Sequence, residues 1–151
     1  MTINALRLHN EAYEELYVGQ TLDWAGATHI AAVLCLDAHT PSDLVSTYSD
    51  LTHECEDTDY SPKAVPNRTV VRSNDQIRYG SDRVDWGSNV TISGRYIYLI
   101  VGDPADLQAG DRVIGHVDLG ETKTATADTD NSSFAFTPAD SGWWNVDRSV
   151  A

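Results

Sequence analysis

The feature that most constrains this chain is a change of hydrophobic period near Tyr60. Beyond it, apolar residues recur at every second position in short runs, and Gly, Asn, Asp and Ser clusters separate the runs. A period of two belongs to half-buried strands, so the expected strands are Thr69–Arg72, Gln76–Tyr79, Arg83–Trp86, Val90–Val101, Arg112–Leu119, Lys123–Ala127 and Ser133–Thr137. Turns are expected at Ser73-Asn74-Asp75, Gly80-Ser81-Asp82, Gly87-Ser88-Asn89, Gly102-Asp103-Pro104, Gly120 and Asp128-Thr129-Asp130-Asn131, residue types that accept tight backbone geometry. Before Tyr60 the pattern differs. Thr28–Leu36 is a nearly continuous apolar run of strand length, as expected of a strand covered on both faces. Two short helices are expected beside it. Asn10 to Tyr17 offers a cap and a face of Tyr13, Leu16 and Tyr17, giving a helix over 11–17. Thr40-Pro41-Ser42-Asp43 offers a cap, a first-position proline and an acid, with Leu44, Tyr48 and Leu51 behind it, giving a helix over 41–48. The expected fold is all-β, a β-sandwich or jelly-roll-like body or a partly closed barrel, with these two helices near the N-terminus. Its expected core contains Ile30, Val33, Leu34, Trp86, Tyr96, Tyr98, Val117, Phe134 and Phe136.

No repeat, low-complexity tract or long linker divides the 151 residues, so a single domain over 1–151 is expected. Charge is the unusual number. Ten Lys and Arg stand against 23 Asp and Glu, a net −13, with the acids scattered along the chain. Nucleic acids and anionic membranes draw proteins through Lys and Arg, so neither is an expected partner. A dispersed acidic surface resists unspecific sticking, which suits a component made in many copies. Met1 to Leu8 lacks the basic start and apolar run of a secretory signal, and no apolar run approaches a membrane span, so synthesis in the cytosol is expected. Cys35 and Cys55 are the only cysteines and form no Cys-x-x-Cys pair. They read as two free thiols, one in a buried strand and one in an acidic loop, and nothing in the spacing supports a disulfide.

Motifs for chemistry are scarce. Glycine loops for phosphate and the nucleophile elbow are both missing from the sequence. His53-Glu54-Cys55-Glu56-Asp57 gathers metal-ligand types without ligand spacing, and reads as a solvated acidic loop. Asp128 to Ser132 alternates oxygen donors but lacks the central glycine and late glutamate of a calcium loop, and reads as a hairpin turn. His29 and His116 fall in expected strands as hydrogen-bonded structural residues, and His9, His39 and His53 in loops. No catalytic residue, no metal ligand and no cofactor is expected. The aromatic residues are the remaining candidates for binding. Trp24 is expected to close one end of the first long strand. Trp143 and Trp144 are adjacent, and adjacent strand residues face opposite sides, so one ring belongs to the core and the other to an interface unless both faces are covered.

Several segments, read in order, resemble a family of short phage virion proteins that serve as capsid cement or decoration proteins, or as head-fibre or tail-associated proteins. They are Ala12-Tyr13, Leu22-Asp23-Trp24, the strand Ile30 to Asp37, Thr40-Pro41, Tyr48-Ser49-Asp50 and Asp59-Tyr60. Further along come Val84-Asp85-Trp86, Gly94-Arg95-Tyr96-Ile97-Tyr98-Leu99, Val117-Asp118-Leu119-Gly120 and Phe134-Ala135-Phe136. The resemblance implies a many-copy virion protein without enzymatic activity, on the outer capsid surface or tail. It would associate with itself as a homotrimer or homodimer and with the major capsid protein or other virion proteins. The alternative it leaves open is a fibre- or tail-associated module that binds a host glycan.

Overall fold

The computed structural model describes residues 6–9, 22–73 and 76–147. These form ten strands and one short 3-10 turn: β1 (Arg7–Leu8), β2 (Ile30–Cys35), the turn at Tyr48–Asp50, β3 (Lys63–Ala64), β4 (Thr69–Arg72), β5 (Gln76–Gly80), β6 (Val84–Gly87), β7 (Ile92–Val101), β8 (Arg112–Ala125), β9 (Phe134–Phe136) and β10 (Trp144–Asp147). All strand pairs are antiparallel and fall into three open sheets, ordered β1-β8-β7-β2-β3, β10-β5-β4 and β6-β9.

The five-stranded sheet is buried on both faces, which is why β2 reads as an unbroken apolar run. Ile30, Ala32 and Leu34 of β2 join Ile97, Leu99, Ile114 and Val117 in one core, and Trp86, Phe134, Phe136 and Trp144 of the two smaller sheets fill it from the other side. Val33 and Cys35 point the opposite way. With Tyr96, Tyr98, Ile100 and Val113 they form a second core, roofed by Val45, Tyr48, Leu51 and Leu107 from the connecting loops. Every residue expected in the core is buried.

Three expectations need correction. The helix over 41–48 does not form, and the only helical residues there are Tyr48–Asp50. Its capping signals compete with strand pairing and lose: Thr47 bridges Arg112, Val113 N–H donates to Ser46 O at 2.9 Å, and Tyr48 N–H donates to Asp111 O at 2.8 Å. After a turn closed by Val45 N–H donating to Ser42 O at 3.1 Å, residues 46–48 run beside the start of β8, and Val45, Tyr48 and Leu51 press onto the second core, while Leu44 is left 81% exposed. A different pair, Thr47 and Asp50, seven residues further on, forms the capping box of the short Tyr48–Asp50 turn. Secondly, Arg112–Leu119 and Lys123–Ala127 are one strand rather than two around a turn. Gly120 sits at φ +85 and takes up a local register shift against β7, with its N–H donating to Asp118 Oδ1 at 2.8 Å. Thirdly, β1, β3 and β10 are strands the alternation did not show, because two to four residues carry too little periodicity. The expected helix over 11–17 lies outside the described residues.

Candidate functional site

The second core carries an aromatic and histidine network that no spacing in the sequence announces. His9 follows β1, His39 lies in the loop after β2, and Tyr98 and His116 sit opposite each other on β7 and β8. His9 Nδ1 lies 2.7 Å from Val45 O, a carbonyl that can only accept, so this nitrogen carries the proton. His9 Nε2 is then an acceptor, and the His116 Nδ1 at 2.8 Å donates to it. The remaining His116 nitrogen, Nε2, keeps its lone pair. On the other side His39 Nε2 meets Tyr98 Oη at 2.6 Å, and His39 Nδ1 meets Thr52 Oγ1 at 3.0 Å. Tyr98 stacks on His116 with ring centroids 5.3 Å apart, and Tyr96 packs edge-on against His39 at 5.7 Å.

All three histidines are buried. Burial disfavours the charged imidazolium, lowering His9 and His39 and lowering His116 to about 4, with the neighbouring His9 ring adding to the effect at His116. The same burial raises Tyr96 and Tyr98. The network is therefore neutral at ordinary pH. It meets solvent at a shallow pocket of about 340 Å³ lined by Arg7, Pro41, Ser42, Asp43 and His116. There the Arg7 guanidinium and the Asp43 carboxylate form two hydrogen bonds with each other, at 2.7 and 2.5 Å, and so satisfy one another rather than an outside group. His9 and His39 likewise spend both ring nitrogens internally. The arrangement holds loops to a sheet, which is the chemistry of a structural tie.

The acidic loop singled out in the sequence does similar work. Glu54 accepts from Tyr48 Oη at 2.6 Å and Tyr60 Oη at 2.9 Å, and Cys55 Sγ donates to Asp57 at 3.2 Å. Among the described residues no three or more His, Cys, Asp or Glu side chains gather as a metal site. Cys35 and Cys55 are free and buried, and burial pushes the Cys35 thiol up to about 12. Asp128 takes φ +63 in a turn anchored on Asn89, 2.7 Å from its N–H. His29 is exposed just before β2 rather than inside it, and His53 is an exposed loop residue at φ +55.

Trp143 and Trp144 are both buried in the same core cluster, and neither ring is left at the surface for an interface. Trp143 is 2% exposed, packs on Phe136 at 5.0 Å and donates to Ser81 Oγ at 2.8 Å. Trp144 is 4% exposed, stacks on Tyr79 at 4.5 Å and meets Trp24 edge-on at 5.0 Å. Trp24 is itself buried and donates to Gly80 O at 3.0 Å.

The surface shows its clearest departure from ordinary composition elsewhere, on β4. All four residues of Thr69–Arg72 are exposed. The three exposed large hydrophobics among the described residues are Leu44, Val70 and Val71, and two of them are neighbours on this strand. Among the described residues β4 is also the last strand of its sheet, and none of them pairs with its outer edge as a strand. Sequence reading placed the strand but missed its position at an edge, although two valines beside two arginines were the available sign.

Comparison with models of protein families, with curated proteins and with solved structures finds no match for the chain. What stands is the class: an all-β chain of three open antiparallel sheets in which no helix is long and apolar enough to cross a membrane among the described residues.

Proposed function

We propose that this chain is a non-enzymatic structural protein of a bacteriophage particle, a cement or decoration protein that binds the outside of the major capsid protein lattice and stabilises the shell. The body would be a sandwich of jelly-roll type, with the five-stranded sheet packed against the two smaller ones. The observation that carries the docking role is the wholly exposed β4 edge, without a strand partner among the described residues and with Val70 and Val71 side by side. Soluble proteins usually guard such edges with bulges, prolines, charges or a covering loop, because open backbone groups and apolar side chains invite another chain. The virion setting rests on the sequence resemblance, and the net charge of −13 suits an outer face better than a lumen filled with DNA. A glycan-binding fibre module is the weaker reading, since its stacking platforms would be exposed tryptophan or tyrosine rings, whereas all four tryptophans are 1–4% exposed and every tyrosine among the described residues is buried or half-buried.

Mass spectrometry of purified particles from a phage carrying this gene tests the proposal. Many copies per particle, and shells that break at lower temperature when the gene is deleted, are the expected result. Particles that lack the chain altogether would overturn it.

A further inference from the structure

We propose that the outer edge of β4 takes an extended acidic segment of a partner polypeptide as an added antiparallel strand. This rests on the docking reading above and names the chemistry of the partner. The backbone comes first. Ser73 N–H donates to Gln76 O at 2.9 Å, which makes these residues a hydrogen-bonded pair at the mouth of the β4–β5 hairpin. Hydrogen-bonded and non-hydrogen-bonded pairs alternate along an antiparallel ladder. The register pairs Val71 with Arg78 and Thr69 with Gly80, so these bond across the hairpin, while Val70 and Arg72 turn their N–H and C=O groups outward. Four backbone groups on two residues thus stand ready for a further strand, in a sheet whose existing pairs are all antiparallel.

Charge then selects the partner. Arg68, Arg72, Arg78 and Arg83 are four of the ten basic residues of a chain at −13, and they share their stretch of sequence with only Asp75 and Asp82. Two of the four are already engaged. Arg68 donates to the Trp24 and Ala27 carbonyls, and Arg83 pairs with Asp85 at 3.0 Å. Arg72 and Arg78 have no carboxylate partner among the described residues, and Arg78 bonds only the Gln76 side-chain oxygen, at 2.5 Å. They flank β4 on its two faces: Arg72 lies on the side of Val70, and Arg78 opposes Val71 across the hairpin. On the Val71 side the surface deepens into a groove of about 380 Å³ where Pro138 and Ala139 stand beside Arg78 and Arg83, with Asp82 and Asp140 also in its lining. An incoming strand with acidic residues on either face would meet an arginine on each side and an apolar surface between them. A second copy of β4, which is Thr-Val-Val-Arg, would bring no carboxylate to either arginine. A nucleic acid would find two arginines in a field of acids, and could use neither the valines nor the open peptide groups.

The test uses the full chain, labelled for amide NMR, with three probes at millimolar concentration: a peptide alternating Val and Glu, the same peptide with Lys for Glu, and a single-stranded DNA oligomer. The acidic peptide is expected to slow exchange of the Val70 and Arg72 amides while leaving Val71 unchanged, and to bind about tenfold more tightly than the lysine peptide. Val70→Pro deletes an outward donor without removing a bond to β5, and is expected to abolish binding while the other amides keep their positions. The double variant Arg72→Glu with Arg78→Glu is expected to reverse the preference between the two peptides. Equal binding of both peptides, protection that appears with protein concentration alone, protection by DNA, or no protection at all would each overturn the proposal. None of these outcomes bears on whether the chain occurs in particles, so the two readings fail separately.

Discussion

Acid should unfold this protein through its histidines before its carboxylates matter. His116 falls from the ordinary 6.5 to about 4 because it is buried against His9 and stacked on Tyr98. In the unfolded chain it would accept a proton near 6.5, so the unfolded state binds protons first as the pH drops. The stability this group contributes is therefore whole above about pH 6.5 and is lost progressively as the pH falls through the folded value. Each pH unit of mismatch is worth about 1.4 kcal/mol, so at pH 5 the loss from His116 alone is about 2 kcal/mol, and it approaches about 3 kcal/mol near pH 4. His9 and His39 are lowered by burial too and push in the same direction. Among the other charged groups near His116, Asp43 works against the shift and Arg7 with it. Carboxylates held low by partners, namely Asp43, Asp50, Asp118 and Glu121, withdraw their stability only as the pH passes below their ordinary values of 3.8 to 4.5. A window from pH 7.5 to 5 therefore isolates the histidines. Urea unfolding followed by tryptophan fluorescence at those two values should show the parent losing at least about 2 kcal/mol. His116→Phe keeps a ring against Tyr98 and removes the titration, so its loss over the same window should be smaller by about 2 kcal/mol, whatever its absolute stability. A parent whose stability differs by less than about 0.5 kcal/mol across the window, or a variant with the same pH dependence as the parent, would refute the reasoning.

Trp143→Phe should cost about 1 kcal/mol more than Trp144→Phe in urea unfolding, because it abandons the bond to Ser81 Oγ whereas the Trp144 Nε1 has no partner to lose. Gly142→Ala should lower stability well beyond Gly120→Ala. Both glycines have positive φ, but a methyl group on Gly142 would stand 2.5 Å from Tyr79 O, while nothing lies within 4 Å at Gly120. The expected difference, read from melting curves, is at least about 1 kcal/mol. Iodoacetamide at pH 8 should leave both thiols of the folded protein unlabelled for minutes and label both in urea, since Cys35 and Cys55 are buried and burial raises each pKa.

The legible parts of the fold were those where one physical term dominates. β2, β4, β5 and β7 follow from runs of alternating or continuous apolar residues, because burial on one face or two dictates which positions are apolar. The helix over 41–48 was misread for a reason equally local. Capping residues describe what a segment prefers alone, and here the preference gave way to pairing with Asp111 and Val113, far along the chain. Gly120 shows the same limit from the other side: a glycine that ends one strand and one that kinks a longer strand look alike in sequence. The histidine network could not be read at all, since positions 9, 39 and 116 share no period. The alternation rule for adjacent tryptophans assumes that both lie in one strand, whereas β10 begins only at Trp144 and both rings join a single core cluster.

The interior position of β2 also sets a timetable for synthesis. Its six buried residues, Ile-Ala-Ala-Val-Leu-Cys, find their main partner in β7, where Cys35 meets Tyr96 and Ile30 meets Val101. A ribosome adding roughly 5–20 residues per second needs about 3–14 s to make the 61 to 71 residues that separate those partners. For that interval an uncharged, apolar, strand-forming hexapeptide travels without its main partner, with the composition that stacks readily on its own kind. In overproducing cells, slower growth or a holdase chaperone should therefore raise the soluble yield more than any substitution that stabilises the finished protein.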